Sequence, residues 1–121
     1  MAAFTEAEII QATGAKVLRQ GRNDMVYTGI ETDTRTIGED AVFVALRGEK
    51  FDGHDFVEQA VSSGAAAVIV EDGKRFYVDG DYAIFVVADT LKAYQNLARF
   101  HRRRFMLPVV AVTGSAGKTS T

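Results

Sequence analysis

Towards the end of the chain, the string VVAVTGSAGKTST joins a β-branched apolar run to a glycine-rich turn, a lysine and then hydroxyl residues. That combination suits phosphate. Glycines at 114 and 117 let successive backbone N–H groups converge on anionic oxygens with no Cβ in the way. A lysine placed after them reaches the β- and γ-phosphates of a nucleotide, and the next hydroxyl can ligate Mg2+. Gly114, Ser115, Ala116, Gly117, Lys118, Thr119 and Ser120 are therefore the candidate ATP-binding residues, with Lys118 the candidate catalytic group and Thr119 the candidate metal ligand. The loop reads G-x-x-G-K-T. It is shorter than the common G-x-x-x-x-G-K-[ST], because Val112 stands where the longer pattern has its first glycine. The plainer alternative is a glycine-rich β-turn with an exposed lysine.

A second constellation lies upstream, in TDTR (residues 32–35) and VALRGEKFDGHDF (44–56). Each follows a predicted strand, where open α/β sheets place their ligand crevices. Arg35 and Arg47 can pair with a diphosphate, and Thr34 offers a hydroxyl. Gly48 and Gly53 permit close backbone approach, and His54 can hydrogen-bond a ligand or cap the helix that follows. The alternative is structural: an Asp33–Arg35 surface ion pair, worth little, and Asp52-Gly53 as a simple turn.

The elements that must position these groups follow from periodicity. Thr5 and Glu8 have capping-box spacing for a short helix ending at Gly14. AKVLRQ and MVYTGIETD read as strands around the turn GRND, and DAVFVALRG is a strong strand. Phe56, Val57, Ala60 and Val61 form one stripe of a helix that stops at Gly64. AAAVIVE and YAIFVVAD are continuous apolar runs, as in strands buried on both faces, and the polar DGKRFYVDGD between them suggests a small hairpin. Asp89 caps a helix whose predicted packing face is Leu91, Tyr94, Ala98, His101 and Phe105. HRRR (101–104) reads as its cationic C-terminal turn, and Pro108, the sole proline, as its end, with a new strand beginning at Val109. The predicted fold is α/β, a small three-layer-like domain with a mostly parallel sheet (1–107), followed by the first strand and phosphate loop of a second domain (108–121).

Composition narrows the classes. The chain has 121 residues, 47% apolar and 25% charged, as expected of a globular domain. A net charge of −2 gives no electrostatic case for nucleic acid or an anionic membrane. With no cysteine and two histidines, neither a disulfide framework nor zinc-type spacing is available. The acidic N-terminus is unlike a signal peptide, so a cytoplasmic location is expected.

TDTRTIGEDAVFVALRGEKFDGHDFVEQAVSSGAAAVIVE, taken with the terminal loop, resembles the Mur ligase family, ATP-dependent amide-bond formers of bacterial cell-wall synthesis. The family pattern D-S/T-R, F-V-A-L-x-G and D-G-H-x-F is matched, with Thr34 keeping the hydroxyl where many relatives have serine. The resemblance implies an amino-terminal domain that holds the UDP end of a UDP-N-acetylmuramoyl-peptide. Thr34, Arg35, Ala45, Leu46, Arg47, Gly48, Asp52, Gly53 and His54 would form that site. It further implies ATP and Mg2+ as cofactors of a larger monomeric enzyme working through an acyl phosphate. Ser115 and Ala116 favour the members that add D-alanyl-D-alanine over those that add the third peptide residue. A stand-alone nucleotide-binding module is the competing class. The family's other catalytic residues would lie beyond Thr121, so the 121 residues are expected to be inactive alone, with loosely held final residues and little affinity for ATP.

Overall fold

The computed structural model describes residues 4–21, 25–48, 52–76 and 79–111, with 104–111 as helical backbone only. The phosphate-loop residues Gly114, Ser115, Ala116, Gly117, Lys118, Thr119 and Ser120 lie outside the described residues. Among the described residues, seven strands and three α-helices follow in the order β1 (Phe4–Thr5), α1 (Glu6–Thr13), β2 (Lys16–Arg19), β3 (Val26–Tyr27), β4 (Ile30–Glu31), β5 (Val42–Val44), α2 (Val57–Ser62), β6 (Ala67–Glu71), β7 (Ala83–Val87) and α3 (Thr90–Ala111). Short 3-10 helices occupy Thr34–Thr36 and Gly53–Phe56.

Strands β4, β5, β6 and β7 pair in parallel, and β2 adds to β7 in the antiparallel sense, giving the order β2-β7-β6-β5-β4. Strands β1 and β3 form a separate antiparallel pair. Alternation along the strands divides the core between two faces. Val42, Val44, Ile69 and Phe85 face α1 and α3, where Ile9, Ala93 and Leu97 cover them. Phe43, Val68, Val70 and Ile84 face α2, which contributes Val57 and Ala60. All five residues of β6 are buried, including Glu71, so the reading of a doubly covered strand holds. The result is a three-layer α/β unit with a mostly parallel sheet, as the sequence predicts.

Local signals are realised at α1. Thr5 accepts the Glu8 N–H and Glu8 accepts the Thr5 N–H, completing the capping box, while Gly14 closes the helix with a left-handed φ of 70°.

Three expectations are corrected. The described residues between β6 and β7 form no strand pair, so the small hairpin expected within that segment is not seen among them. Phe76 on that link packs into the α2-side core. The packing face of α3 is shifted: Thr90, Ala93 and Leu97 are buried, whereas Leu91 is half exposed and Ala98 exposed. A small residue at 93 lets the helix lie close to the sheet, and Phe100 is drawn against Phe4 with ring centroids 6.3 Å apart. Finally, α3 passes through Pro108 to Ala111, so 109–111 are helical and His101, Arg102 and Arg103 lie inside the helix, not in its last turn. A strand needs a neighbour for its hydrogen bonds, and no described strand pairs with 109–111. The helix continues instead, at the cost of the one backbone donor that proline lacks.

Candidate nucleotide-binding cleft

The parallel strands β4, β5 and β6 all end on one side of the sheet, and the loops leaving β4 and β5 enclose a cleft of about 660 Å3. Its walls are Thr32, Asp33, Thr34 and Arg35 after β4, Phe43, Leu46, Arg47 and Gly48 from β5 and its loop, and Gly53, Phe56 and Gln59 from the helical segment beyond. This is the position and size at which α/β sheets hold small ligands.

The TDTR turn is self-organised. Asp33 caps the 3-10 helix by accepting the Arg35 N–H at 2.9 Å, and it also receives the guanidinium through Nε (3.1 Å) and Nη2 (2.7 Å). Hydrogen bonding from the Arg35 side chain, then from its N–H, lowers the Asp33 pKa to about 2, and the same pair raises that of Arg35. The ion pair that the structural alternative anticipated is therefore present. It sits on the cleft wall all the same, with the Arg35 side chain 84% exposed.

The second loop is pinched shut by backbone contact. Gly53 donates its N–H to the Leu46 carbonyl at 2.7 Å, beside an antiparallel bridge between Arg47 and Asp52. A Cβ on residue 53 would stand 2.7 Å from both the Leu46 nitrogen and oxygen, so only glycine fits. Asp52 then caps the 3-10 helix through the His54 N–H (3.0 Å) and accepts from His54 Nδ1 (2.6 Å) and Lys74 Nζ (2.5 Å). Partial burial pushes the Asp52 carboxyl up, but hydrogen bonds from Lys74 and from the His54 amide and ring outweigh it, holding it well below the usual carboxylate range.

His54 itself is buried. Its Nε2 accepts the Glu71 N–H at 2.9 Å while Nδ1 faces Asp52, a pairing that fits the Nδ1–H tautomer. Both ring nitrogens are thus used within the protein, and His54 ties the loop to β6 instead of lining the cleft. Ala45 is likewise fully buried, donating its N–H to Ile69, and Asp52 is not a wall residue. The cleft brings together Thr34, Arg35, Leu46, Arg47, Gly48 and Gly53 from the expected set.

Sequence reasoning missed Phe43, Phe56 and Gln59, which add aromatic and amide surface, and Glu71, which forms an ion pair with Arg47 (Nε to Oε1, 3.2 Å). The available signal was a carboxylate ending an otherwise apolar strand. Chemically, the cleft offers an apolar floor with two guanidinium groups at its rim, which suits a ligand with a flat, weakly polar part and an anionic part. No group of three or more His, Asp and Glu side chains is arranged to hold a metal among the described residues. No helix among them is long and apolar enough to cross a membrane.

A sheet with this topology, crossed by D-T-R and D-G-H loops at its C-terminal edge, defines a class that comparison identifies directly. The family model described as Mur ligase family, catalytic domain, matches residues 26–112, and the chain belongs to that family. A UDP-N-acetylmuramoyl-tripeptide--D-alanyl-D-alanine ligase of Synechocystis is 46% identical over 101 residues, 81% of this chain and 21% of that protein. The solved structure of the UDP-N-acetylmuramoylalanyl-D-glutamyl-2,6-diaminopimelate--D-alanyl-D-alanyl ligase from Acinetobacter baumannii superposes with a TM-score of 0.73 at 33% identity, covering 86% of this chain and 22% of that one. MurF ligase from Thermotoga maritima, solved in complex with ADP, gives a TM-score of 0.51 at 35% identity over 64% of this chain and 17% of its own. The chain thus spans about a fifth of the length of the relatives it matches.

Proposed function

We propose that this chain is the substrate-recognising portion of a ligase that adds D-alanyl-D-alanine to UDP-N-acetylmuramoyl-tripeptide in peptidoglycan precursor synthesis. The observation that carries the reading is the cleft at the end of β4 and β5. It sets Arg47 and Arg35 beside an apolar floor, in a chain 46% identical to a ligase named for that reaction. On this reading the uridine end lies against Leu46 and Phe56, and the guanidinium groups meet the diphosphate. Residues 1–107 form the uridine-nucleotide domain, and 108–121 begin the ATP-binding one.

Gly114, Ser115, Ala116, Gly117, Lys118, Thr119 and Ser120 would cradle ATP, with Lys118 on the transferred phosphoryl group and Thr119 on Mg2+. A relative solved in complex with ADP supports nucleotide binding by the complete enzyme. In the complete enzyme the peptide carboxylate attacks the γ-phosphorus and releases ADP. The dipeptide amine then attacks the acyl carbon of the resulting acyl phosphate and releases phosphate. The 121 residues by themselves are proposed to bind the uridine ligand without turning it over, as a monomer in the cytoplasm.

Calorimetric titration with UDP-N-acetylmuramoyl-tripeptide, and separately with Mg·ATP, tests this. Saturable heat from the first, reduced in Arg47→Ala, with none from the second, is the expected result. Tight ATP binding with no uridine response would overturn it.

A further inference from the structure

Glu71 is the last residue of β6, following four apolar residues, and its side chain is only 10% exposed. A carboxylate so placed is unfavourable unless it is paired. Its partners come from three elements. Oε1 forms an ion pair with Arg47, Nε lying 3.2 Å away, Oε2 is 3.4 Å from the Thr90 hydroxyl at the start of α3, and the main-chain N–H is fixed by His54. The two cleft arginines therefore differ. Asp33 accepts hydrogen bonds from Arg35 Nε and Nη2 together, whereas Arg47 meets Glu71 as an ion pair whose closest approach is through Nε at 3.2 Å. An ion pair on one side of the guanidinium restricts a long side chain, and its four Nη N–H donors form a planar fork suited to an anion.

We propose that Glu71 is a positioning residue that aims Arg47 at the anionic part of the cleft's ligand. This deepens the reading given above and rests on it. Glu71 also carries a negative charge near the anion it would help to bind, so positioning must outweigh repulsion, and the two effects have opposite signs when Glu71 is changed. Thr90 and the His54 bond hold Glu71 from behind, so that the ligand-side rigidity of Arg47 originates in buried groups that never touch the ligand.

The test compares UDP with uridine by NMR shift titration of the 121-residue chain, using Glu71→Ala, Glu71→Gln, Arg47→Ala and the Glu71→Ala/Arg47→Ala double variant. The expected result is a loss of about three- to fivefold in UDP affinity for Glu71→Ala, the scale of one partly exposed ion pair. Glu71→Gln, which keeps the size of the side chain but removes the charge of the ion pair, should lose about as much. Uridine affinity should not move in either variant, and Glu71→Ala should add nothing once Arg47 is alanine. Unchanged or tighter UDP binding in Glu71→Ala would overturn the proposal, as would equal weakening of uridine or multiplicative losses in the double variant. Unchanged UDP binding in Arg47→Ala, despite binding by the parent chain, would overturn both this and the assignment of the site. Should Glu71→Ala fail to fold, Glu71→Asp replaces it in the same cycle, since the shorter side chain keeps the charge but withdraws from Nε.

Discussion

At the scale of single residues, the cleft is governed by which charges are already spoken for. Arg35 is held by Asp33 through two of its nitrogens, so a ligand gains less from it than from Arg47. Arg47→Ala should therefore weaken UDP by about 10- to 100-fold, the range for hydrogen bonds to charged groups, and Arg35→Ala by clearly less. Parallel titrations of the two variants check this, and equal losses would contradict it. Asp52 gives a second expectation. Its carboxyl is held low in the folded chain by Lys74 and His54 against the opposing effect of burial. Below the ordinary carboxylate pKa the unfolded chain binds a proton that the folded chain refuses, so stability falls with pH. The contribution of Asp52 is thus complete above pH ~4 and is lost as pH drops towards the lowered folded value. Asp52→Asn should lower the melting temperature near neutrality and flatten its decline below pH 4. A parallel decline in both proteins would remove Asp52 from that role. The residue types at the site were legible in the sequence because arginines, threonines and glycines at strand ends carry an obvious chemistry. The burial of His54 was not, since its partner, the Glu71 N–H, is 17 positions away.

Elements explain why some signals could be read locally and others could not. The α1 capping box and its glycine stop are closed within ten residues, so Thr5, Glu8 and Gly14 announce them without tertiary help. The α3 face was misjudged because Leu91 and Ala93 have similar local claims to burial. The decision belongs to α1 and the sheet, which accept the small side chain and leave the large one half exposed. The link between β6 and β7 shows the same limit: its turn residues read as a hairpin, but its described residues form no strand pair and Phe76 packs into the α2-side core. Gly53 marks where local and tertiary information meet, because Asp-Gly reads as a turn while the contact that forbids a side chain comes from Leu46. Gly53→Ala must push the two backbone segments apart. A loss of roughly 1–3 kcal/mol is expected, the cost of overpacking, together with loss of UDP binding. Urea unfolding of the variant measures the first. A stability unchanged from the parent would mean that the 46–53 loop is not pinched as described.

For the whole molecule, the cleft and the core share residues. Phe43 is both a wall of the cleft and part of the α2-side core, and Arg47 is anchored to the end of β6, the strand buried on both faces. A ligand seated there contacts groups whose geometry exists only when the sheet is complete, so it should bind the folded chain and not the unfolded one. Ligand at 100 times its dissociation constant then stabilises by about 2.7 kcal/mol. For a domain of this length that corresponds to a rise of roughly 10 °C in melting temperature. UDP should produce this shift, uridine at the same multiple of its own dissociation constant should produce a similar one, and Mg·ATP, which these 121 residues are proposed not to hold, should produce none. Thermal denaturation followed by circular dichroism at several UDP concentrations gives the answer. A melting temperature that stays fixed while NMR reports saturation would mean that the ligand also binds unfolded or locally opened chains, and that the cleft is not built on the core. A shift with ATP but not with UDP would move the nucleotide site to the 114–120 loop and leave the cleft at β4 and β5 without its proposed ligand.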